Sequence, residues 1–335
     1  MQLAIRSNLE EVSFMRPVLI MLLVLYHSMA IHTGNWEMPN GGTVFFAYKA
    51  LGKIAYAFFL ESFVFVSGYI WAFQHEIKGK KERLGNLCLK KSLRLIIPTI
   101  LFGLLYHFLL EEGDLTIYHL IEGPGHLWFL PMLFECFLIS RFVLYKSESL
   151  LFFIPLFFLI GIFTQTNLPF RLSLTLYYLP FFLLGYSFYD WYGKLQKCKI
   201  VHISGIWLAF FVAFGGMIFF RPWLVANIKQ PIILGASILC SKFLYSLIGT
   251  IAFLMTSIYL TTRYQLPSWY LKLGSFCMGV YIFQQFVLEI LYYHSPIPSI
   301  VPDLLLPILG FTIALAVSLA LTYLLRTTKL GKQLL

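Results

Sequence analysis

The sequence is short of charge. Asp, Glu, Lys and Arg make up 12% of its 335 residues, where a soluble domain carries about a quarter. That scarcity excludes a soluble globular protein. Cysteine is sparse too: Cys88, Cys136, Cys198, Cys240 and Cys277 are scattered, with no CxxC pair. This argues against a thiolate metal site or a disulfide framework. No small-residue cleavage site follows the first apolar run, so that run is expected to stay as a helix rather than leave as a signal peptide. No loop between apolar runs is long enough for a soluble domain. There is no internal repeat of the kind that builds many transporters. Acidic residues number 15 against 25 basic ones. In a membrane protein that excess reports topology first and does not point to nucleic acid.

What is abundant is apolar. Hydrophobic residues reach 59%, aromatics 18%, and mean hydropathy is +0.79. A spanning helix needs about 20 mostly apolar residues. Ten stretches qualify: about 16–34, 54–73, 94–110, 127–145, 150–165, 172–190, 200–220, 235–261, 270–292 and 303–325. The predicted fold is an all-α polytopic membrane protein in a lipid bilayer. The basic cluster Lys78, Lys80, Lys81, Arg83, Lys90, Lys91 and Arg94 lies between the second and third stretches and should be cytoplasmic. Ten spans then put both termini in the cytoplasm. Arg6, Arg16, Arg141, Lys146, Lys194, Lys197, Lys199, Arg263, Lys272, Arg326, Lys329 and Lys332 fall on the same side. Lys49, Lys53, Arg171, Arg221, Lys229 and Lys242 fall outside, with the acidic run Glu111, Glu112 and Asp114.

Ionisable residues inside the apolar runs are the candidates for chemistry, because each is costly there without a partner or a wet cavity. Arg16 and His27 stand eleven positions apart in the first run. On a helix that is almost three turns, so both project from nearly one face, about 16 Å apart along the axis. Singly, Arg16 reads as a snorkelling anchor and His27 as an inter-helix hydrogen bond; together, with Pro17 between them, they suggest a site. Lys91 and Arg94 lie three apart before Pro98. They read as ordinary basic flanking or as a phosphate contact from the cytoplasm. Glu61, Glu135 and Glu289 are intramembrane acids that either satisfy neighbours or orient His27. His126 and Trp128 sit at the outer end of the fourth run, where Trp is by default an interfacial anchor and His126 is placed to meet a polar substrate. His32, His75, His107, His119, His202 and His294 lie near helix ends and need no special role.

These pieces occur in one order. The Arg16-x10-His27 spacing, the Phe63–Tyr69 segment with Ser67-Gly68-Tyr69, the Lys91-x-x-Arg94 pair before Pro98, and His126-Leu127-Trp128-Phe129-Leu130 resemble the membrane acyltransferase-3 family. So do the segments from Leu179 to Gly185, at Gly274-Ser275, and from Tyr281 to Phe283. The likeness runs over nearly the whole chain and implies a single transmembrane acyltransferase domain over residues 1–335. It implies transfer of an acyl group, usually acetyl, from a cytoplasmic acyl-CoA to a hydroxyl of a cell-surface or lipid-linked sugar, such as an exopolysaccharide of the cell envelope. The expected place is a bacterial cytoplasmic membrane, and no metal is expected. By the resemblance His27 is catalytic and Arg16 is the arginine of the same motif; Glu61, an intramembrane acid, would hold the tautomer or the charge of His27. Lys91, Arg94, Arg16, Ser67 and Tyr69 would bind the acyl-CoA co-substrate. His126, Trp128 and Glu135 would meet the sugar or polysaccharide acceptor. The chain departs from the family pattern at Lys91, where Arg is usual, so charge is kept but the planar fork is lost. It departs again at Gln284 and Gln285, where a His is frequent, so no catalytic role is assigned there. His27 would serve either as general base on the acceptor hydroxyl or as a carrier through an acyl-imidazole. A proton-coupled sugar or glycan transporter is the rival class, since buried acids and a histidine also suit transport. A non-catalytic scaffold of a glycan complex is a third.

Overall fold

A computed structural model describes residues 8–76, 83–111, 114–144, 150–164 and 168–335. Arg6, Lys78, Lys80, Lys81, Glu112 and Lys146, used above for topology, lie outside the described residues. The described chain is built of helices, and no strand occurs among the described residues. The long elements are α1 (Glu10–Ser28), α2 (Phe46–Tyr56), α3 (Phe59–Glu76), α4 (Leu84–Lys91), α5 (Ile97–Leu110), α6 (Ile117–Glu122), α7 (Phe129–Leu144), α8 (Leu150–Phe163), α9 (Leu172–Phe188), α10 (Ile200–Asn227), α11 (Pro231–Thr261), α12 (Cys277–Tyr293) and α13 (Leu306–Arg326).

Among the described residues eight helical stretches are long and apolar enough to cross a membrane. They are Glu10–Ser28, Phe46–His75, Leu84–Leu110, Gly125–Val143, Leu172–Leu195, Ile200–Asn227, Pro231–Thr261 and Leu306–Arg326. The protein is an all-α polytopic membrane protein. The fifth and ninth expected spans take the form of shorter helices, α8 with 14 residues and α12 with 17. In α12 the first turn that the apolar run suggested is a separate short helix, Ser268–Leu273.

Two compact units are each assembled from three sequence segments. The first takes its described residues from the segments 8–15, 60–88 and 132–267. Lipid tails are as apolar as leucine, so helices gain cohesion from close packing and not from leaving water. Small residues provide it. Gly68 of α3 abuts the Phe182 carbonyl of α9, and Gly185 of α9 abuts the Phe65 carbonyl of α3. The Gly68 and Gly185 motifs are thus two halves of one reciprocal helix contact. A Cβ at either would strike backbone, so Gly68→Val or Gly185→Val is expected to cost at least the ~1–3 kcal/mol of an overpacked core. Thermal unfolding in detergent would show this; an unchanged midpoint would contradict the contact. Helix α10 has 11% of its most apolar window buried, as suits a helix facing lipid. It is tied to α11 by the Trp207 indole N–H donating to Thr256 at 2.9 Å.

Lys242 lies inside the eighth expected span, 235–261, and not beyond its end. It lies within α11, and its ammonium is 3.3 Å from the Glu61 carboxylate, whose side chain is 0% exposed. Ser62 and Thr250 hydroxyls pair at 2.9 Å alongside. A charge in each helix is thereby matched by its opposite across the interface.

The second unit holds residues 16–59, 89–131 and 268–335. Its axis is α12, buried along most of its length and packed on α13. Gly279 gives Thr322 room and Gly310 gives Tyr292 room. The Tyr292 hydroxyl donates to the Ser28 carbonyl at 2.8 Å, which ties α12 to the end of α1.

Candidate active site

Two groups of candidate side chains assemble in the second unit. The first lies around His27 in the last turn of α1. Tyr26 and Ser28 on either side are buried, while His27 keeps part of its surface accessible. Its ring stacks on Trp36, with centroids 5.9 Å apart and planes within 5°. His27 Nδ1 is 3.0 Å from Gln284 Oε1 of α12. A carbonyl oxygen accepts, so Nδ1 carries the hydrogen and Nε2 presents a lone pair. The Gln284 Nε2 is buried without a partner among the described residues. It is a free amide donor beside the imidazole.

His126 completes this group. Its ring centroid is 6.5 Å from that of His27. Gly123 and Gly125, at φ +81° and +52°, turn the chain from α6 into the short helix Gly125–Trp128 that carries it. Two bonds to α12 fix it: His126 Nε2 donates to the Ile282 carbonyl at 2.9 Å, and the Tyr281 hydroxyl donates to the His126 carbonyl at 2.5 Å. The donor at Nε2 leaves Nδ1 as a buried acceptor with no partner among the described residues. Behind it, the Tyr106 hydroxyl donates to Glu289 at 2.5 Å and Gln285 donates to Glu289 at 2.6 Å. Glu289 is therefore occupied by neighbours. Trp128 is half-buried and its ring meets Phe129.

The second group is basic. Arg94 feels the like charges of Arg16 and Arg326. Arg326 is anchored, donating to the Ser275 carbonyl with its guanidinium 5.5 Å from the Phe276 ring centre. Arg94 is exposed, and it sits in a π-helical turn, Ser92–Ile96, between α4 and α5. Lys91 ends α4 immediately before this wider turn. Extra residues inside a helix of this kind often mark functional positions. Among the described residues Arg94 meets the charges of Arg16 and Arg326 and neither it nor Arg16 has an acidic partner, which makes a place for an external anion.

The remaining expected residues lie in the first unit. Glu61 is paired with Lys242, as above. The Glu135 carboxylate accepts from the Thr175 hydroxyl at 2.6 Å. Tyr69 is fully buried and donates to Glu11 at 2.9 Å, and the Ser67 hydroxyl donates to the Phe63 carbonyl at 2.9 Å. Sequence reasoning missed Gln284 and Arg326. Gln284 was visible as an amide inside an apolar helix, yet its place as a substitute for a family histidine hid the hydrogen bond it makes. Arg326 read as an ordinary inside anchor at the end of the last span.

The family described as an acyltransferase domain matches residues 9–327, almost the full chain. The chain belongs to the membrane acyltransferase-3 family. It is thus a membrane acyltransferase, and both groups of side chains fall within the matched region. No curated protein and no solved structure matches the chain.

Proposed function

We propose that this acyltransferase takes an acyl group, acetyl by preference, from a cytoplasmic acyl-CoA and transfers it to a hydroxyl of a cell-surface or lipid-linked sugar. The observation that carries the reading is the state of His27: a partly accessible imidazole whose Nδ1–H is held by Gln284 and whose Nε2 lone pair faces outward from that bond. That is the state a general base needs. Arg16 and His27 lie on one helix, separated by about 16 Å at 1.5 Å per residue. A donor with its phosphates on Arg16, Arg94, Arg326 and Lys91 would span that distance with its flexible arm and bring the thioester to the imidazole.

His27 Nε2 takes the proton from the sugar hydroxyl as its oxygen attacks the thioester carbonyl. The tetrahedral oxyanion forms beside the Gln284 amide, whose free N–H is suited to stabilise it. Collapse expels the thiolate of CoA, which recovers the proton from His27. His126 would hold the acceptor through its Nδ1 lone pair, accepting from a second sugar hydroxyl, with Trp128 beside it. Glu61 we assign to its ion pair with Lys242 and not to the chemistry.

Membranes containing the protein, given acyl-labelled CoA, are expected to place label on surface or lipid-linked sugar, with a matching mass shift in the glycan. Passage of intact sugar without consumption of acyl-CoA would refute the proposal. Arg94→Gln combined with Arg326→Gln is expected to raise the KM for acyl-CoA at least tenfold, since a bond to a charged group contributes about 1.5–3 kcal/mol. Turnover at saturating donor should hold. An unchanged KM would remove the basic cluster from the donor site.

A further inference from the structure

We propose that His107, Glu111 and His119 form a binding site for a divalent transition cation of the zinc type. The three residues come from the last turn of α5, the residue after it, and α6. His107 Nδ1 is 3.3 Å from Glu111 Oε2, and His119 Nε2 is 2.8 Å from the same oxygen. One potential ligand atom from each residue lies within 4.8 Å of the others. Two imidazoles and a carboxylate are a known ligand set for zinc with one position left open.

Two edges of the ligand triangle are close to those of a zinc site, and the third is within 4.8 Å. With bonds of about 2.0–2.2 Å, the ligand atoms of a tetrahedral zinc stand roughly 3.3–3.4 Å apart. The His107–Glu111 edge already has that length. The His119–Glu111 edge must open by about half an ångström to reach it, and the His119 side chain, 38% exposed, is free to move. His107 is nearly enclosed, so the cation would be shielded on the α5 side and open on the α6 side. Without an ion, one carboxylate oxygen must accept from two imidazole N–H groups at once. A cation replaces both with lone-pair bonds. Nitrogen ligands favour zinc, nickel or copper over magnesium and calcium, which prefer oxygen throughout.

The placement suggests what the ion would do. Tyr106, just before His107, bonds Glu289. His119 is set by the Thr116 hydroxyl, which accepts its backbone N–H at 3.1 Å and caps α6. After α6 the chain turns through Gly123 and Gly125 into His126. A cation joining α5 to α6 would therefore brace the segment that presents His126.

The test uses the full chain purified in detergent by a tag without histidine. Dialysis against Zn2+ followed by metal analysis is expected to give one ion per chain. His107→Ala with His119→Ala should lower that by one, while His202→Ala, at the exposed start of α10, should not. Glu111→Gln keeps the shape and an acceptor. It should weaken binding by more than about tenfold, because even outer-shell changes cost that much. In the unmodified chain Co2+ should give visible bands of low-coordinate cobalt. Absence of stoichiometric zinc in the unmodified chain, an equal load in the double variant, or undiminished affinity in Glu111→Gln would each overturn the proposal.

Discussion

Replacement of His27 by alanine is expected to lower acyl transfer by about a hundred- to ten-thousand-fold, the range that a positioned general base supplies. The reason is local. His27 holds the lone pair at Nε2 because its Nδ1–H is committed to Gln284 Oε1 at 3.0 Å. Alanine removes the proton acceptor and leaves the helix and the basic cluster in place, so the KM for acyl-CoA should stay within a few-fold. Gln284→Leu tests the other end of the bond. It removes the acceptor that fixes the tautomer together with the free amide donor. Loss of one hydrogen bond of about 1 kcal/mol would lower turnover several-fold, and loss of an oxyanion donor would lower it by a further hundredfold or more. Gln284→Glu restores an acceptor for Nδ1–H but offers no donor. If Gln284 only positions His27, Glu should recover most of the activity. If the amide also serves the oxyanion, Glu should recover little. Assays with labelled acyl-CoA on purified protein decide the matter. Native turnover in His27→Ala would end the assignment of the base.

The fold was largely legible because a bilayer leaves few options. Backbone polar groups in hydrocarbon must be satisfied within the segment, so each long apolar run had to be a helix. Length alone misled at α12, where the chain breaks after Leu273, since a run of apolar letters does not show where a helix breaks. The site was legible in part, and for a physical reason. A histidine and an arginine at a near-integral number of turns share a face whatever the rest of the chain does, so Arg16 and His27 could be paired from sequence. Their partners could not. Gln284 lies 257 positions from His27, and no local periodicity reports a contact of that range. The pairing of Glu61 with Lys242 is hidden in the same way, since 181 positions separate them. His107 and His119 each lie near a helix end and, taken singly, need no partner. The fold brings both to the Glu111 carboxylate.

Breaking the Glu61–Lys242 pair is expected to be the most destabilising change in the first unit. Glu61 is 0% exposed and Lys242 17%, so loss of either partner leaves the other charge without compensation in a medium that solvates it poorly. Lys242→Met should cost about 3–5 kcal/mol, typical of a buried pair deprived of one member. Glu61→Gln should cost less, because the ammonium keeps a neutral acceptor and some access to solvent. The double variant Glu61→Leu with Lys242→Met is the informative one. Replacing a buried pair by apolar residues of similar size is often neutral or stabilising, so its unfolding midpoint in detergent should return to that of the native chain. Its acyl transfer should return as well, within about threefold, since the pair's own charges cancel and Glu61 is assigned no part in the chemistry. A double variant that is stable yet inactive would put the Glu61 carboxylate back among the catalytic groups. One that stays unstable would show that the pair contributes more than mutual neutralisation, through the packing of α3 against α11.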